Sequence, residues 1–358
     1  MAHMIDTTTG RDAIAFVGEA PWHKLGQRLT AGADLETWRR EAGLGYTVER
    51  TPVLFQRAHA GATDRIEAMA GRDVLYRSDT GAPLSVVAKD YFVVQPGEVL
   101  AFFGKLADLG GFSLETAGVL AEGRRVWGLA RVSDGAPVVG HDVVRPYVLL
   151  ATSYDGTMAT VAKFTTVRVV CHNTLTMAAG ANMSAGAVGM GQTEADKTEG
   201  SVVQCVRVPH VRKFDGEAVR RQLGIVASVW ERWLVEARLL AEVPVTEAQA
   251  DKFVADLLLS VQATPKGKPA PDVRASRGYK RLMSLFGGEQ IGADLCGNAN
   301  AWALLNAVTD YVDHERGRTD DTRMTSAWFG AGEGLKLRAW DCVRELAAKA
   351  GALLEVVA

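Results

Sequence analysis

Residues 147–177 read YVLLATSYDGTMATVAKFTTVRVVCHNTLTM. Two runs rich in β-branched and apolar residues flank Asp155-Gly156, a pair that tolerates positive φ and so favours a tight type I′ turn. The stretch therefore predicts a β-hairpin. Its second strand runs on into Arg168-Val169-Val170-Cys171-His172-Asn173-Thr174, where Asn173 and Thr174 have the side chains that cap a helix.

The same pattern recurs upstream. VLYRSD and PLSVVAKDYFVV flank Thr80-Gly81, and FSLETAGVL and RRVWGLARV flank Glu122-Gly123. Between these pairs a helix is expected from about Gly97, with Val99, Phe102, Phe103 and Leu106 on one apolar face. Earlier still, Asp34 is placed to cap DLETWRREA, after a loop containing Pro21-Trp22-His23. The order ββ-α-ββ-ββ-α predicts an antiparallel hairpin sheet with helices packed on one face.

Near residue 185 the chain changes character. AGAVGMGQTEADKTEG (185–200) is polar and glycine-rich, as a flexible linker would be. Beyond it, Val219, Val226, Trp230, Trp233 and Ala237 recur at helical spacing. Thr246 and Gln249 form a capping box, and PKGKPAP (265–271) separates that helix from RGYKRLMSLF. Asn298 is placed to cap ANAWALLNAVTDYVDH, and KLRAWDCVRELAAKA makes a last helix. The expected class is α+β: a hairpin-sheet domain over 1–184, a linker over 185–200, and a mainly helical region over 201–358.

Composition bounds the function. With 358 residues, 47% of them apolar, the chain can bury a sizeable core. A formal charge of -2 excludes a wholly basic nucleic-acid coat but leaves room for a local cationic groove. Cys171, Cys205, Cys296 and Cys342 are far apart and form no CxxC pair, which suits reduced thiols in a cytoplasmic protein. The first residues lack the pattern of a signal peptide, and no run approaches the ~18 apolar residues that span a membrane. The expected location is the cytoplasm, with no membrane partner.

Three sharp chemistries have plainer alternatives. Cys171, His172, Cys205 and His210 offer four N/S ligands, but adjacent Cys and His rarely share an ion and the spacing fits no structural zinc pattern. No metal and no cofactor are expected. Cys171 has His172 beside it in sequence, which is not the spatial arrangement that activates a thiol. An enzyme would need polar groups converging around Arg168, His172 and Asn173. Gly330-Ala331-Gly332-Glu333-Gly334-Leu335-Lys336 lacks the lysine–hydroxyl pair of a phosphate loop, and Glu333 would repel the anion. It reads as a flexible turn between helices. Trp22-His23 and Trp328-Phe329 read as loop anchors on the core.

The basic clusters point further. KGKPAPDVRASRGYKR (266–281) carries Lys266, Lys268, Arg274, Arg277, Lys280 and Arg281 against the single Asp272. Tyr279 adds a ring that can stack on a base. Arg207, Arg212, Lys213, Arg220 and Arg221 form a second cluster, and Lys163 and Arg168 interrupt the apolar hairpin strand. Phosphate backbones need such cations, and stacking aromatics grip single strands without reading sequence. The plain alternative is a solvated loop and ordinary helix faces. The expected contacts are Lys163, Arg168, Arg207, Arg212, Lys266, Lys268, Arg274, Arg277, Lys280 and Arg281 on phosphates, with Tyr279 stacking.

Several motifs align with a family. Pro21-Trp22-His23-x-Leu25-Gly26, Gly123-Arg124-Arg125-Val126-Trp127, the Asp155-Gly156 hairpin, Arg168-Val169-Val170-Cys171-His172-Asn173-Thr174-Leu175 and Asn306-Ala307-Val308-Thr309-Asp310-Tyr311-Val312-Asp313-His314 carry the likeness. Together they resemble the phage/plasmid-like protein family of unknown function, of the DUF932 type, found on mobile elements. That family brings a context and no catalytic residues. At the level of fold, the hairpins and helices are similar to single-strand annealing recombinases of the Rad, Red-beta and Erf type. The resemblance implies a DNA-binding protein of a phage, plasmid or prophage, binding or annealing single-stranded DNA, with subunits forming a homo-oligomer. The alternatives are a protein-interaction module acting on a host replication or defence complex, and an enzyme built around Arg168, His172 and Asn173.

Overall fold

The structure is a computed structural model that describes residues 4–18, 25–59, 62–108, 112–169, 174–176, 187–189, 205–223, 227–260, 272–297 and 299–351. The strands are β1 (Ile14–Val17), β2 (Gln27–Leu29), β3 (Val48–His59), β4 (Ala62–Arg77), β5 (Pro83–Ala88), β6 (Ser113–Leu120), β7 (Arg125–Arg131), β8 (Ala136–Val139), β9 (Asp142–Ser153), β10 (Thr160–Arg168), β11 (Thr174–Thr176), β12 (Ala187–Gly189) and β13 (Cys205–Val208). The helices are α1 (Leu35–Glu41), α2 (Pro96–Asp108), α3 (Gly216–Leu223), α4 (Ala227–Glu242), α5 (Glu247–Ser260), α6 (Arg277–Ser284), α7 (Ala301–Asp310), α8 (Asp320–Phe329) and α9 (Ala331–Lys349). The class is α+β.

The main sheet runs β12-β13-β10-β9-β7-β6-β1-β2, with β8 on β9 and β11 on β10. It is mixed, because β1–β2 and β12–β13 are parallel pairs. A second sheet, β3-β4-β5, is antiparallel throughout. The β9–β10 hairpin forms as expected, from Val161↔Ala151 to Arg168↔Val144. Its connection is longer than a two-residue turn. Among the described non-glycine residues only Ala121 and Glu122 have positive φ, so Asp155 does not supply the first half of a type I′ turn. Instead the Asp155 carboxylate accepts from Thr157 N at 3.0 Å and from its hydroxyl, building a wider Asx-type loop.

The expected helix at Thr174 is a strand. β11 pairs antiparallel with β10, Thr165↔Thr176 to Val167↔Thr174, as two β-branched threonines around one leucine favour. Cys171, His172 and Asn173 lie outside the described residues. The helices also cover both faces of the sheet instead of one. α2 presses one face so closely that a Cβ on Gly128 would meet the Phe103 ring at 2.5 Å. α8 lies over the other, where Trp328 packs on Trp127.

Local capping follows the sequence closely. Asp34 accepts from Thr37 N at 2.7 Å, and Thr246 and Gln249 exchange a reciprocal pair of bonds. Asn300 caps α7 by accepting from Ala303 N; Asn298 lies outside the described residues. Gly330–Lys336 is not a turn, because α9 starts at Ala331. Gly332 sits inside that helix where the α8 backbone comes close: a Cβ there would lie 2.9 Å from Ser326 O.

One hydrophobic core joins the parts before and after 185–200. It includes Phe102, Phe103, Val148 and Leu150 as well as Trp233, Trp302 and Trp340. β13, beyond that stretch, pairs with β10, so both parts also share a sheet.

His210, just after β13, is clamped at this junction. Its Nδ1 lies 2.9 Å from Phe92 O, its Nε2 lies 3.1 Å from Met158 O, and its ring stacks on Tyr91 at 4.4 Å. Burial pushes its pKa below the ordinary 6.5, against the upward pull of the two carbonyls and Asp155. The folded chain then holds fewer protons than the unfolded chain just below that value. This contribution to stability is complete above about 6.5 and is lost as the pH falls through the folded pKa. Thermal melts across this range should show a His210-dependent decline that His210→Gln flattens.

Candidate functional site

Antiparallel partners share a sheet face, and alternate residues along a strand return to it. The register therefore assigns one face without ambiguity: Arg207 pairs with Val161, Lys163 with Leu149, Tyr147 with Arg131, and Trp127 with Ala151. On this face stand Arg125 and Arg131 of β7, Arg145 of β9, Lys163 of β10 and Arg207 of β13. The opposite face of the same strands carries Arg168, five residues from Lys163 and so of opposite parity.

Between this cationic face and α8 lies a cavity of about 370 Å³. Phe16, Trp127, Leu129, Tyr147 and Val167 form its floor, and Met324, Ala327, Trp328 and Phe329 form its roof. That volume, with polar and charged groups set beside aromatic rings, is that of a small-ligand pocket. Trp127 and Trp328 meet edge to face at 5.6 Å, leaving other ring surfaces to line the space. Trp328-Phe329, expected as a loop anchor, is the roof of the cavity.

The polar groups are specific. Tyr147 donates its hydroxyl to Glu115 Oε1 at 2.8 Å, and Arg131 Nε approaches Glu115 Oε2 at 3.4 Å. Burial, then the Glu115 charge, raises the Tyr147 pKa well above the phenol range, so that hydroxyl remains a donor. Two lining groups lack acceptors: Trp127 Nε1 and Arg145 Nε are both buried with no hydrogen-bond partner among the described residues. Neither atom is open to the cavity, and the core residues Trp233 and Trp340 carry indole nitrogens in the same condition.

The roof is tied down by lysines. Lys163 donates to Glu333 and to Trp328 O, and its ammonium lies 5.3 Å from the Phe329 ring centroid. Lys336, almost wholly buried, donates to Asp313 at 2.8 Å; burial lowers its pKa, against Asp313. Asp313 and His314 contribute to the cavity wall from the wide turn that follows α7.

The residues expected on phosphates separate into groups. Lys163 is 3% exposed and holds the roof, so its charge is spent inside the protein. Arg168 is equally buried. Its Nε donates to Asp142 at 2.6 Å, and its other nitrogens reach Ile291 O and Gly292 O at 2.9 Å. Strand alternation, applied to their five-residue spacing, already places these two on opposite sides. Arg274 pairs bidentately with Asp251, and Tyr279 donates to the same carboxylate. Arg274 first, then Tyr279, hold the Asp251 pKa down at about 2. Arg281 binds Glu315 and Glu289. Each of these four cations finds an acid that lies far from it in sequence or on a neighbouring turn, which a run of basic letters does not reveal. Arg207, Arg212, Arg277 and Lys280 are exposed, without an ion pair among the described residues. Lys266 and Lys268 lie outside them.

The sequence reading missed Glu115, Trp127, Arg131, Arg145 and Tyr147. One signal was available: Arg125, Trp127, Leu129 and Arg131 alternate along a single strand. No group of His, Cys, Asp and Glu among the described residues could hold a metal, and no described helix is long and apolar enough to cross a membrane.

A family model described as a domain of unknown function, DUF932, matches residues 83–189 and 194–328. No curated protein and no solved structure matches the chain.

Proposed function

We propose that this chain, which belongs to the DUF932 family, binds single-stranded DNA along the cationic face of its main sheet, with a base seated in the aromatic cavity. The observation that carries this reading is the lining of the cavity, in which the rings of Trp127, Tyr147, Trp328 and Phe329 stand with Arg131 and Arg145. A nucleotide offers what such a cavity selects: a flat ring to pack on aromatics, and acceptor oxygens for arginine. A duplex hides its bases in the stack, so a single strand is the form that can present one.

Arg145, which lines the cavity, and Arg207, on the same sheet face, are the proposed phosphate contacts. Labelled single-stranded oligonucleotides titrated at several salt concentrations test the reading. Affinity should fall with salt, and each of Arg145→Gln and Arg207→Gln should make the slope shallower by roughly 0.7. Arg281→Gln should leave it unchanged, because that cation is committed to two carboxylates. Absence of binding at low salt would overturn the proposal.

A further inference from the structure

We propose that two copies of this chain pair through the outer half of the β3–β4 hairpin, each laying the same uncharged face on the other's. Strand β5 meets β4 only from Arg72↔Ala88 to Tyr76↔Pro83. Towards the tip, β3 and β4 form a ribbon that no third strand joins among the described residues. Two strands alone are marginal in water and are stabilised by packing against something else. Along 54–57 and 65–72 every residue except Glu67 is exposed, so this chain provides no such cover.

The register divides the ribbon between its faces. Leu54 pairs with Ala68 and Gln56 with Ile66, so these four share one face, and none of them is charged. Phe55 pairs with Glu67 and Arg57 with Arg65, so the charges stand on the opposite face, where Arg57 and Glu67 lie 3.7 Å apart. Ile66 and Leu54 are 72% and 63% exposed, the highest values for large apolar side chains among the described residues. Interface centres are depleted of charge, and those of homodimers are the more apolar. A phosphate backbone would find no cation on these four residues, so nucleic acid is not the occupant.

The face is its own complement. Leu54 and Ile66 occupy one diagonal of the four positions, and Ala68 and Gln56 occupy the other. Turning the face over about a two-fold axis in its own plane sets each branched side chain against the other diagonal. Apolar bulk then meets the small Ala68 and the unbranched Gln56, and a two-fold contact requires one patch to fit itself. A second copy of the chain therefore covers the face.

Four side chains a copy are few against the roughly 800 Å² a side of a standard interface, so the expected dimer is weak, with a Kd on the order of 50 µM. Sedimentation equilibrium of the full chain without DNA, from about 5 to about 200 µM, reads it. The mean mass should climb from near one chain towards two. Leu54→Lys combined with Ile66→Lys should hold the mass at one chain and keep the parent's circular dichroism, since both side chains are exposed. Phe55→Lys, on the opposite face, should associate as the parent does. Leu54→Glu combined with Ile66→Glu should also stay single. An equimolar mixture of the lysine and glutamate variants should recover association, because the two-fold contact brings anions beside cations.

A single-chain mass at every concentration would overturn the pairing. So would a dimer that survives the lysine variant, one that Phe55→Lys abolishes equally, or a mixture that stays single. None of these measurements involves DNA, so single-strand binding stands or falls separately.

Discussion

Asp142→Ala is expected to destabilise the protein by about 3–5 kcal/mol and to lower its melting temperature by on the order of 10 °C. Asp142 is fully buried and accepts from Arg168 Nε at 2.6 Å and from Trp302 Nε1 at 2.8 Å. One carboxylate therefore joins β10 to α7. Removing it leaves a guanidinium in a dry interior, and that stranded charge carries most of the cost. The attraction between the two partners is largely offset by the desolvation both suffer. Arg168→Met combined with Asp142→Leu should accordingly recover a large part of the loss, giving a strongly non-additive cycle. Urea denaturation of Asp142→Leu, Arg168→Met and the double variant reads this directly. A loss under about 1 kcal/mol for Asp142→Ala would show that the pair does not hold the helices to the sheet.

Trp233→Ala should cost a similar amount, about 3–5 kcal/mol. Its ring stacks on Trp230 at 5.5 Å and on Trp340 at 5.6 Å, and its edge meets Trp302 at 6.1 Å. Three helices, α4, α7 and α9, thus converge on one fully buried side chain. Alanine leaves a cavity that rigid rings on three sides cannot collapse to fill, the condition under which truncation is most expensive. Trp233→Phe should restore much of the stability, because it keeps a flat ring in the stack. Near-ultraviolet circular dichroism of the native state should change more for Trp233→Ala than for Trp230→Ala, since Trp230 packs at the margin of the core. An unchanged spectrum and midpoint in Trp233→Ala would contradict the stack as an organising element.

Local rules made much of the fold legible. Glycine turns, apolar alternation and capping residues located α1, α2, the β6–β7 and β9–β10 hairpins and the capping box at Thr246. These features depend on neighbours within a few residues. What failed depends on contacts from elsewhere. The polar residues before Thr174 suit a helix cap, yet β10 offers an open edge on which a strand pairs. Gly330–Gly334 looked like a loop, but its glycines serve the close approach of α8 and α9. Cations are densest along the chain at 266–281. Charge density does not tell which cations meet acids after folding. Face parity along β7 and β9 would have been the better guide, because it depends only on counting.

That counting has a mechanical consequence for β10. Lys163 is gripped from one side by Glu333 and Trp328, and Arg168 from the other by Asp142 and the backbone at Ile291 and Gly292. Sliding the strand by one residue would exchange its two sides and drive both cations into the wrong layer. The strand is consequently bolted in a single alignment at two points, although its partners β11 and β13 span only three and four residues. Those short partners need not encode their own register; they inherit it from a strand that has nowhere else to go.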